Sequence, residues 1–461
     1  MAFSTVQRAG PTVSAGQRAP ERNPVRTLTY PKRDAFLWIL AVLVALYVWR
    51  MQGFNPVVAK LKPAVVTMAI AMALWIRSND PVRRLNLIKG PILTTVLWLL
   101  ALMFLGIPTS LVAGKSLTFW VLDVLPNFLL LIVVACGIRN MRDFEWLALV
   151  SLLGGAIFAL DRLTVGTLGF YDRNDLAMVL LMHIPFAVYF LRPGVQFMRR
   201  LLGAVSLGLM IVVIVDGQSR GGFLGLLLVG SYILLRYRGI PARTRLLSVI
   251  IGVVIVIVVG SDMFWQRMST LLNPQADYNW SGQSKTGRVE VWKRGVGYML
   301  ENPLLGVGLR NFPQAEGRSK LSTSLQLYGS GFKWSVAHNS FVELGAEVGM
   351  IGLALFIAIF FLSFRLLIRI GRGGPPTTAG PPELLPAAQM LMASLIGFMF
   401  CGFLISAEHF SVLYVIIGMV LALAKIHVLS SVRHPVPGLQ APRSAFARVP
   451  ANAVPRVQGR R

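Results

Sequence analysis

The residues best suited to chemistry in this chain begin at His338-Asn339-Ser340-Phe341-Val342-Glu343-Leu344-Gly345, where a long polar segment meets an apolar run. An imidazole can take a proton from a hydroxyl near neutral pH. Arginines recur in four short stretches elsewhere: Tyr171-Asp172-Arg173-Asn174-Asp175, Ser219-Arg220-Gly221-Gly222, Gly287-Arg288-Val289-Glu290-Val291-Trp292, and Pro303 to Phe312 with Gly306, Gly308 and Arg310. Guanidinium groups are permanently charged, planar and rich in donors, so they suit phosphate recognition. A base beside several of them fits chemistry on an anionic, lipid-linked substrate.

Local patterns say how these groups are held. Ser340 to Glu343 fits a capping box, with Ser340 as N-cap and Glu343 reaching back to it. His338 then sits just ahead of a helix, where free N–H groups favour anions. A helix starting near Thr286 puts Arg288 and Trp292 on one face at i,i+4; the plainer alternative is that Arg288 simply pairs with Glu290 or another carboxylate of the loop. Arg220 follows a very short connector, and Arg173 opens an apolar run behind Asp172 or Asn174 as cap. A lone arginine at such a boundary commonly just snorkels to lipid headgroups. Several on the same face as His338 favour an anion site.

The elements that position these residues follow from composition. The 461 residues are 55% hydrophobic and 14% charged, with mean hydropathy +0.65, against roughly 25% charged in soluble domains. Twelve apolar runs approach the length of about 20 residues that spans a bilayer: 35–49, 63–76, 90–107, 117–137, 144–160, 175–191, 201–215, 222–235, 246–260, 340–364, 385–406 and 410–429. None alternates in polarity as a barrel strand would. The expected fold is an all-α polytopic membrane protein of about twelve transmembrane helices. It divides into a polar tail (1–34), nine spans (35–261), a long external loop with short helices (262–337), three spans (338–430) and a second polar tail (431–461). The first thirty-odd residues lack the pattern of a cleavable signal peptide.

The net charge of +26 does not mark a nucleic-acid binder, because its Lys and Arg are scattered in short connectors. Alternate connectors are rich in them, among them Arg83, Arg84, Arg199, Arg236 and Arg369. That side, with both termini, is expected in the cytoplasm, so Arg173, Arg220, Arg288, Arg310 and His338 fall outside. Five histidines without ligand spacing and a loop without a carboxylate cluster point to no metal. Cys136 and Cys401, both inside apolar runs, read as small apolar groups rather than a disulfide.

Four stretches, Arg173-Asn174-Asp175-Leu176-Ala177, Ser219-Arg220-Gly221-Gly222, Gly287-Arg288 with Trp292 and the Pro303 to Phe312 run, and His338-Asn339-Ser340 through Gly349, resemble the O-antigen ligase family in residues, in order and in the long loop before the histidine. The resemblance implies a fold similar to the GT-C-like glycosyltransferases that use lipid-linked donors. It implies transfer of O-antigen polysaccharide from undecaprenyl pyrophosphate to a sugar hydroxyl of lipid A–core, on the periplasmic face of a Gram-negative inner membrane, without metal or other cofactor. His338 is then the general base of an inverting displacement, and Arg288 and Arg220 hold the pyrophosphate. Arg173, Arg310, Asn339, Trp292 and Glu343 are the further substrate-binding candidates. O-antigen polymerases share the same core pattern, and a passive glycolipid transporter is disfavoured because the spans carry few charges.

Overall fold

The computed structural model describes residues 33–49, 60–166, 172–273, 279–280, 287–318, 336–372 and 381–433. The two tails assigned to 1–34 and 431–461 lie outside these except for 33–34 and 431–433. The described residues form fifteen α-helices and no strand. Each of the twelve apolar runs is helical. They form α1 (Ala35–Trp49), α2 (Pro63–Ile76), α3 (Pro91–Leu105), α4 (Ala113–Gly137), α5 (Met141–Thr164), α6 (Arg173–Phe190), α7 (Phe197–Asp216), α8 (Arg220–Arg236) and α9 (Ala242–Val259), then α13 (Ser340–Arg372), α14 (Leu384–Gly402) and α15 (Ser411–Arg433). Between α9 and α13 lie three short helices: α10 (Asp262–Ser269), α11 (Arg288–Glu301) and α12 (Phe312–Arg318).

Seven of these helices are long and apolar enough to cross a membrane, and α1, α2 and α3 are shorter apolar helices. The chain is a polytopic all-α membrane protein. Its interior is built by α15 packed on α4, and by α14 packed on α6, α8 and α13. In α15, 78% of the most apolar window is buried by protein, against 11% in α9. The apolar side chains of α9 therefore face outward, as a helix in lipid requires.

One end of the bundle is closed by ion pairs. Arg83 donates to both oxygens of Asp34 at 2.6 and 2.8 Å, Arg139 donates to Asp143 at 2.8 Å, and Arg192 to Glu145. Lys425, fully buried in α15, donates to the carbonyls of Ala135 and Cys136 at 2.9 and 3.0 Å. It thereby satisfies carbonyls that the end of α4 leaves without helical partners. Cys136 and Cys401 are free and buried.

The opposite end is shaped by a break in α13. The apolar run at 340–364 reads as one uninterrupted helix, but Gly349 (φ 84°, ψ 176°) leaves the helical region. A short buried helix, 340–348, therefore precedes a long apolar one, 350–372. The freed backbone groups pair with the 303–308 turn: Val307 N–H donates to Ala346 O at 2.8 Å, Gly308 N–H to Glu347 O at 3.0 Å, and Met350 N–H to Pro303 O at 2.8 Å. The approach is close enough to need glycine on both sides. A Cβ on Gly306 would stand 2.3 Å from the Glu347 carbonyl carbon, and one on Gly349 2.7 Å from Leu304. Both residues have positive φ, which glycine adopts without strain.

Candidate functional site

Where α6 and α8 begin, beside α10, α11 and the end of α14, a cavity of about 540 Å³ opens. Arg220, Arg267 and Arg288 line it together with Asn174, Trp280 and Leu404. Its volume lies within the usual range for small-molecule sites, about 300–1,000 Å³. Three arginines lining one cavity are of a type suited to a strongly anionic group.

Each arginine is placed by local backbone chemistry. Ser219 caps α8, its Oγ accepting the Gly222 N–H at 3.0 Å and donating to Asn174 Oδ1 at 2.8 Å. Arg220 is thus the first residue of α8, and it donates to Thr270 Oγ1 at 3.0 Å. Arg288 opens α11 and donates to the Leu404 carbonyl at 2.9 Å. Glu290, its possible partner by sequence, instead pairs with Lys293 at 2.7 Å. Arg267 comes from α10, whose Phe264 and Met268 are buried at i,i+4 on one face.

α11 carries two anchors besides Arg288. Arg294 forms a two-pronged pair with Glu316, at 2.8 and 2.6 Å, and Tyr298 O–H donates to the same carboxylate at 2.8 Å. Burial pushes the Tyr298 phenol above its ordinary value, and the charge of Glu316 adds to the shift. Trp292 donates its indole N–H to the Ala337 carbonyl at 2.8 Å, and its ring meets Trp280 edge-on at 5.6 Å. Trp280 lines the cavity, so these two rings connect the cavity wall to the residue before His338.

The histidine segment is held from both sides. Ala337 N–H donates to Glu343 Oε2 at 3.1 Å, and Ser406 O–H donates to the same oxygen. Asn339 Oδ1 accepts the N–H groups of Phe341 and Val342, at 3.0 and 3.1 Å. The N-cap is therefore Asn339, not Ser340. Glu343 reaches past it to Ala337, and so holds the backbone beside His338 rather than closing a box on Ser340. The Ser340 hydroxyl ties this segment to the end of α14 instead. Its Oγ donates to Ile405 O and accepts from Ala407 N–H, both at 2.8 Å. Leu404 and Ile405 line the cavity, so the segment that carries His338 is tied to the cavity wall through Ser340, while His338 itself is not among the lining residues. It is half-buried, with left-handed backbone (φ 49°). Such a conformation costs a non-glycine residue roughly 1–3 kcal/mol and gathers at functional sites.

The candidate residues do not all converge. Arg220 and Arg288 line the cavity, whereas Trp292 and the His338 segment do not line it and are joined to its wall through Trp280 and Ser340. Asn339 and Glu343 are buried, 2% and 1% exposed, and their side chains hold backbone rather than offering a face to a ligand. Arg173 begins α6 behind Asp172, whose Oδ1 accepts from Asn174 and Asp175 N–H; it is exposed and outside the cavity lining, which Asn174 enters instead. Arg310 is outside the cavity lining, its guanidinium 5.4 Å from the Phe119 ring centre. Arg267 and Trp280 are cavity residues that the sequence motifs miss, because both sit inside the long polar stretch between α9 and α13. A signal exists for Arg267: an amphipathic turn with Phe264 and Met268 inward.

Residues 205–357, from α7 into α13, match the family model described as O-antigen ligase. No curated protein matches the chain.

Proposed function

We propose, from the premise that this chain belongs to the O-antigen ligase/polymerase superfamily, that it is an O-antigen ligase. It transfers O-antigen polysaccharide from undecaprenyl pyrophosphate to a sugar hydroxyl of lipid A–core. The setting is the periplasmic face of the inner membrane, with both termini in the cytoplasm. The observation that carries this reading is the cavity of three arginines whose edge is fastened to the His338 segment through Trp280, Trp292 and Ser340.

In this reading the pyrophosphate occupies the cavity against Arg220, Arg267 and Arg288. The prenyl chain descends between helices: an almost wholly apolar cavity of about 310 Å³, lined from α6, α7, α8 and α9, lies beside it. Trp265 lines that cavity while Arg267, two residues on, lines the polar one. One short helix thus serves both the tail and the headgroup of the donor.

The chemistry is a single displacement. His338 accepts the proton of the acceptor hydroxyl, the hydroxyl oxygen bonds to the anomeric carbon, and the bond to the pyrophosphate oxygen breaks. The electron pair and growing charge pass to undecaprenyl pyrophosphate, where preformed guanidinium donors stabilise it. We assign charge neutralisation to these arginines rather than to a metal. The test is transfer by purified protein in detergent, with an undecaprenyl-pyrophosphate glycan, lipid A–core and EDTA. Glycan on lipid A–core supports the reading. Longer chains on the lipid carrier, with lipid A–core unmodified, would make the chain a polymerase.

A further inference from the structure

Arg310 has a setting of its own. Its backbone is left-handed, with φ 60°, which L residues avoid unless their surroundings impose it. Here Glu347 imposes it, accepting the N–H of Arg310 at 2.7 Å and that of Phe312 at 3.0 Å. The guanidinium is thereby laid against Phe119. Lys115 lies four residues before Phe119, on the same face of α4, and its ammonium donates to Gln314 Oε1 at 2.9 Å. Lys115 and Arg310 repel one another. Glu347 is buried and bonds through its two oxygens to backbone N–H groups rather than to either side chain. Among the described residues the ion pairs of this region are Lys293–Glu290 and Arg294–Glu316, and neither Lys115 nor Arg310 takes part in one. Arg318, exposed, adds a third cation, its Nη2 3.5 Å from Leu111 O.

The platform beneath these cations is rigid. Ser116 O–H donates to Leu309 O at 2.9 Å, Asn311 donates to Ser116 Oγ at 2.7 Å, and Leu111 N–H donates to Val307 O at 3.0 Å. Asn311 and Ser116 are fully buried. Like charges fixed together on buried hydrogen bonds form a site that an anion would relieve. None of these residues lines the three-arginine cavity. The two basic regions flank the short helix of α13: the cavity is fastened near its start by Ser340, and Arg310 is held near its end by Glu347. From residue 340 to 347, at 1.5 Å per residue, is roughly 10 Å.

We infer that Lys115 and Arg310, with Arg318 at the rim, form a second anion-binding site, which takes a phosphate group of the lipid A–core acceptor some sugars away from the reacting hydroxyl. The inference rests on the ligase reading for its ligand. It gives donor and acceptor, both anionic glycolipids, separate sets of cations, so that neither displaces the other. An anionic phospholipid headgroup presents the same chemistry, and the test separates the two sources.

The experiment measures binding of phosphorylated lipid A–core, and of the same glycolipid after phosphatase treatment, to the full-length protein in detergent. Wild type binds the phosphorylated form about 10-fold or more tightly, as expected for loss of charge-assisted hydrogen bonds. The Lys115→Gln/Arg310→Gln double variant binds both forms alike. Lys115→Arg/Arg310→Lys keeps the charges, retains part of the preference and checks that folding is intact. Equal binding of both forms by wild type, or an undiminished preference in the Gln variant, would overturn the inference. So would loss of the preference on adding an equal concentration of phosphatidylglycerol, which would give the site to headgroups. In the transfer assay the acceptor KM rises in the Gln variant and the donor KM does not. Wild type that binds with phosphate preference but transfers nothing would remove the ligase reading and leave the anion site standing.

Discussion

Glu343 gives the sharpest mutational prediction because one of its oxygens holds two groups at once. Oε2 accepts the Ala337 N–H and the Ser406 O–H, while Oε1 has no partner among the described residues. Glu343→Ala leaves the buried Ala337 N–H unsatisfied and releases the half-buried Ser406 hydroxyl, which water can reach, and so destabilises the folded chain by about 1–3 kcal/mol. It also frees the backbone next to His338. A misplacement of about 1 Å can cost roughly 10²-fold in rate, so kcat falls by that order with the donor KM little changed. Glu343→Gln differs, since its carbonyl oxygen can occupy the Oε2 position and keep both bonds. It should lose about 1 kcal/mol and stay within roughly 10-fold of wild-type kcat. The assay is steady-state transfer, with thermal unfolding in detergent on the same samples. Glu343→Ala with wild-type kcat, or Gln as damaging as Ala, would refute the positioning argument.

Other perturbations address different parts of the structure. Arg288→Lys keeps the charge but cannot both hold the Leu404 carbonyl and present a planar fork; the donor KM should rise about 10-fold or more, and an unchanged KM would count against the cavity as the donor site. Glu316→Ala strands Arg294, whose side chain is 17% exposed beside a carboxylate at 0%. Breaking such a buried pair costs about 3–5 kcal/mol, visible as a lowered Tm, and a Tm within a degree of wild type would contradict it. At the far end, burial pushes the Asp34 carboxyl up, but the hydrogen bond and charge of Arg83 pull it further down, below its ordinary value. A depressed folded value stabilises above the unfolded one, about 3.9, and that stabilisation fades as pH falls through the folded value. The Tm gap between wild type and Asp34→Asn should therefore be widest near neutrality and close below about pH 4; a gap that widens in acid would reverse the sign.

Much of this architecture is legible in the apolar runs, since a chain in lipid must satisfy its backbone within helices. Twelve runs correspond to twelve helices with ends shifted by a few residues. What the runs conceal is tertiary. The break at Gly349 depends on partners more than forty residues earlier, in the 303–308 turn, and nothing in the apolar pattern marks it. Asn339 and Ser340 are both good caps, so the sequence alone points to the wrong one of the pair; the Ser406 and Ile405 contacts decide between them. Arg220, Arg288 and Trp292 are readable from short motifs at helix starts. Arg310 is not, because a left-handed turn held by Glu347 carries it away from the cavity. Arg267 requires recognition of a two-turn helix inside a long polar stretch.

The proposed base for the acceptor hydroxyl is His338, whose segment is tied to the wall of the three-arginine cavity through Ser340. The direct measurement is single-turnover transfer with saturating lipid A–core, comparing wild type with His338→Ala at equal donor occupancy. General-base catalysis contributes about 10²–10⁴-fold, so the account predicts a rate loss of that size with donor binding retained. Transfer by His338→Ala within a few-fold of wild type would contradict it.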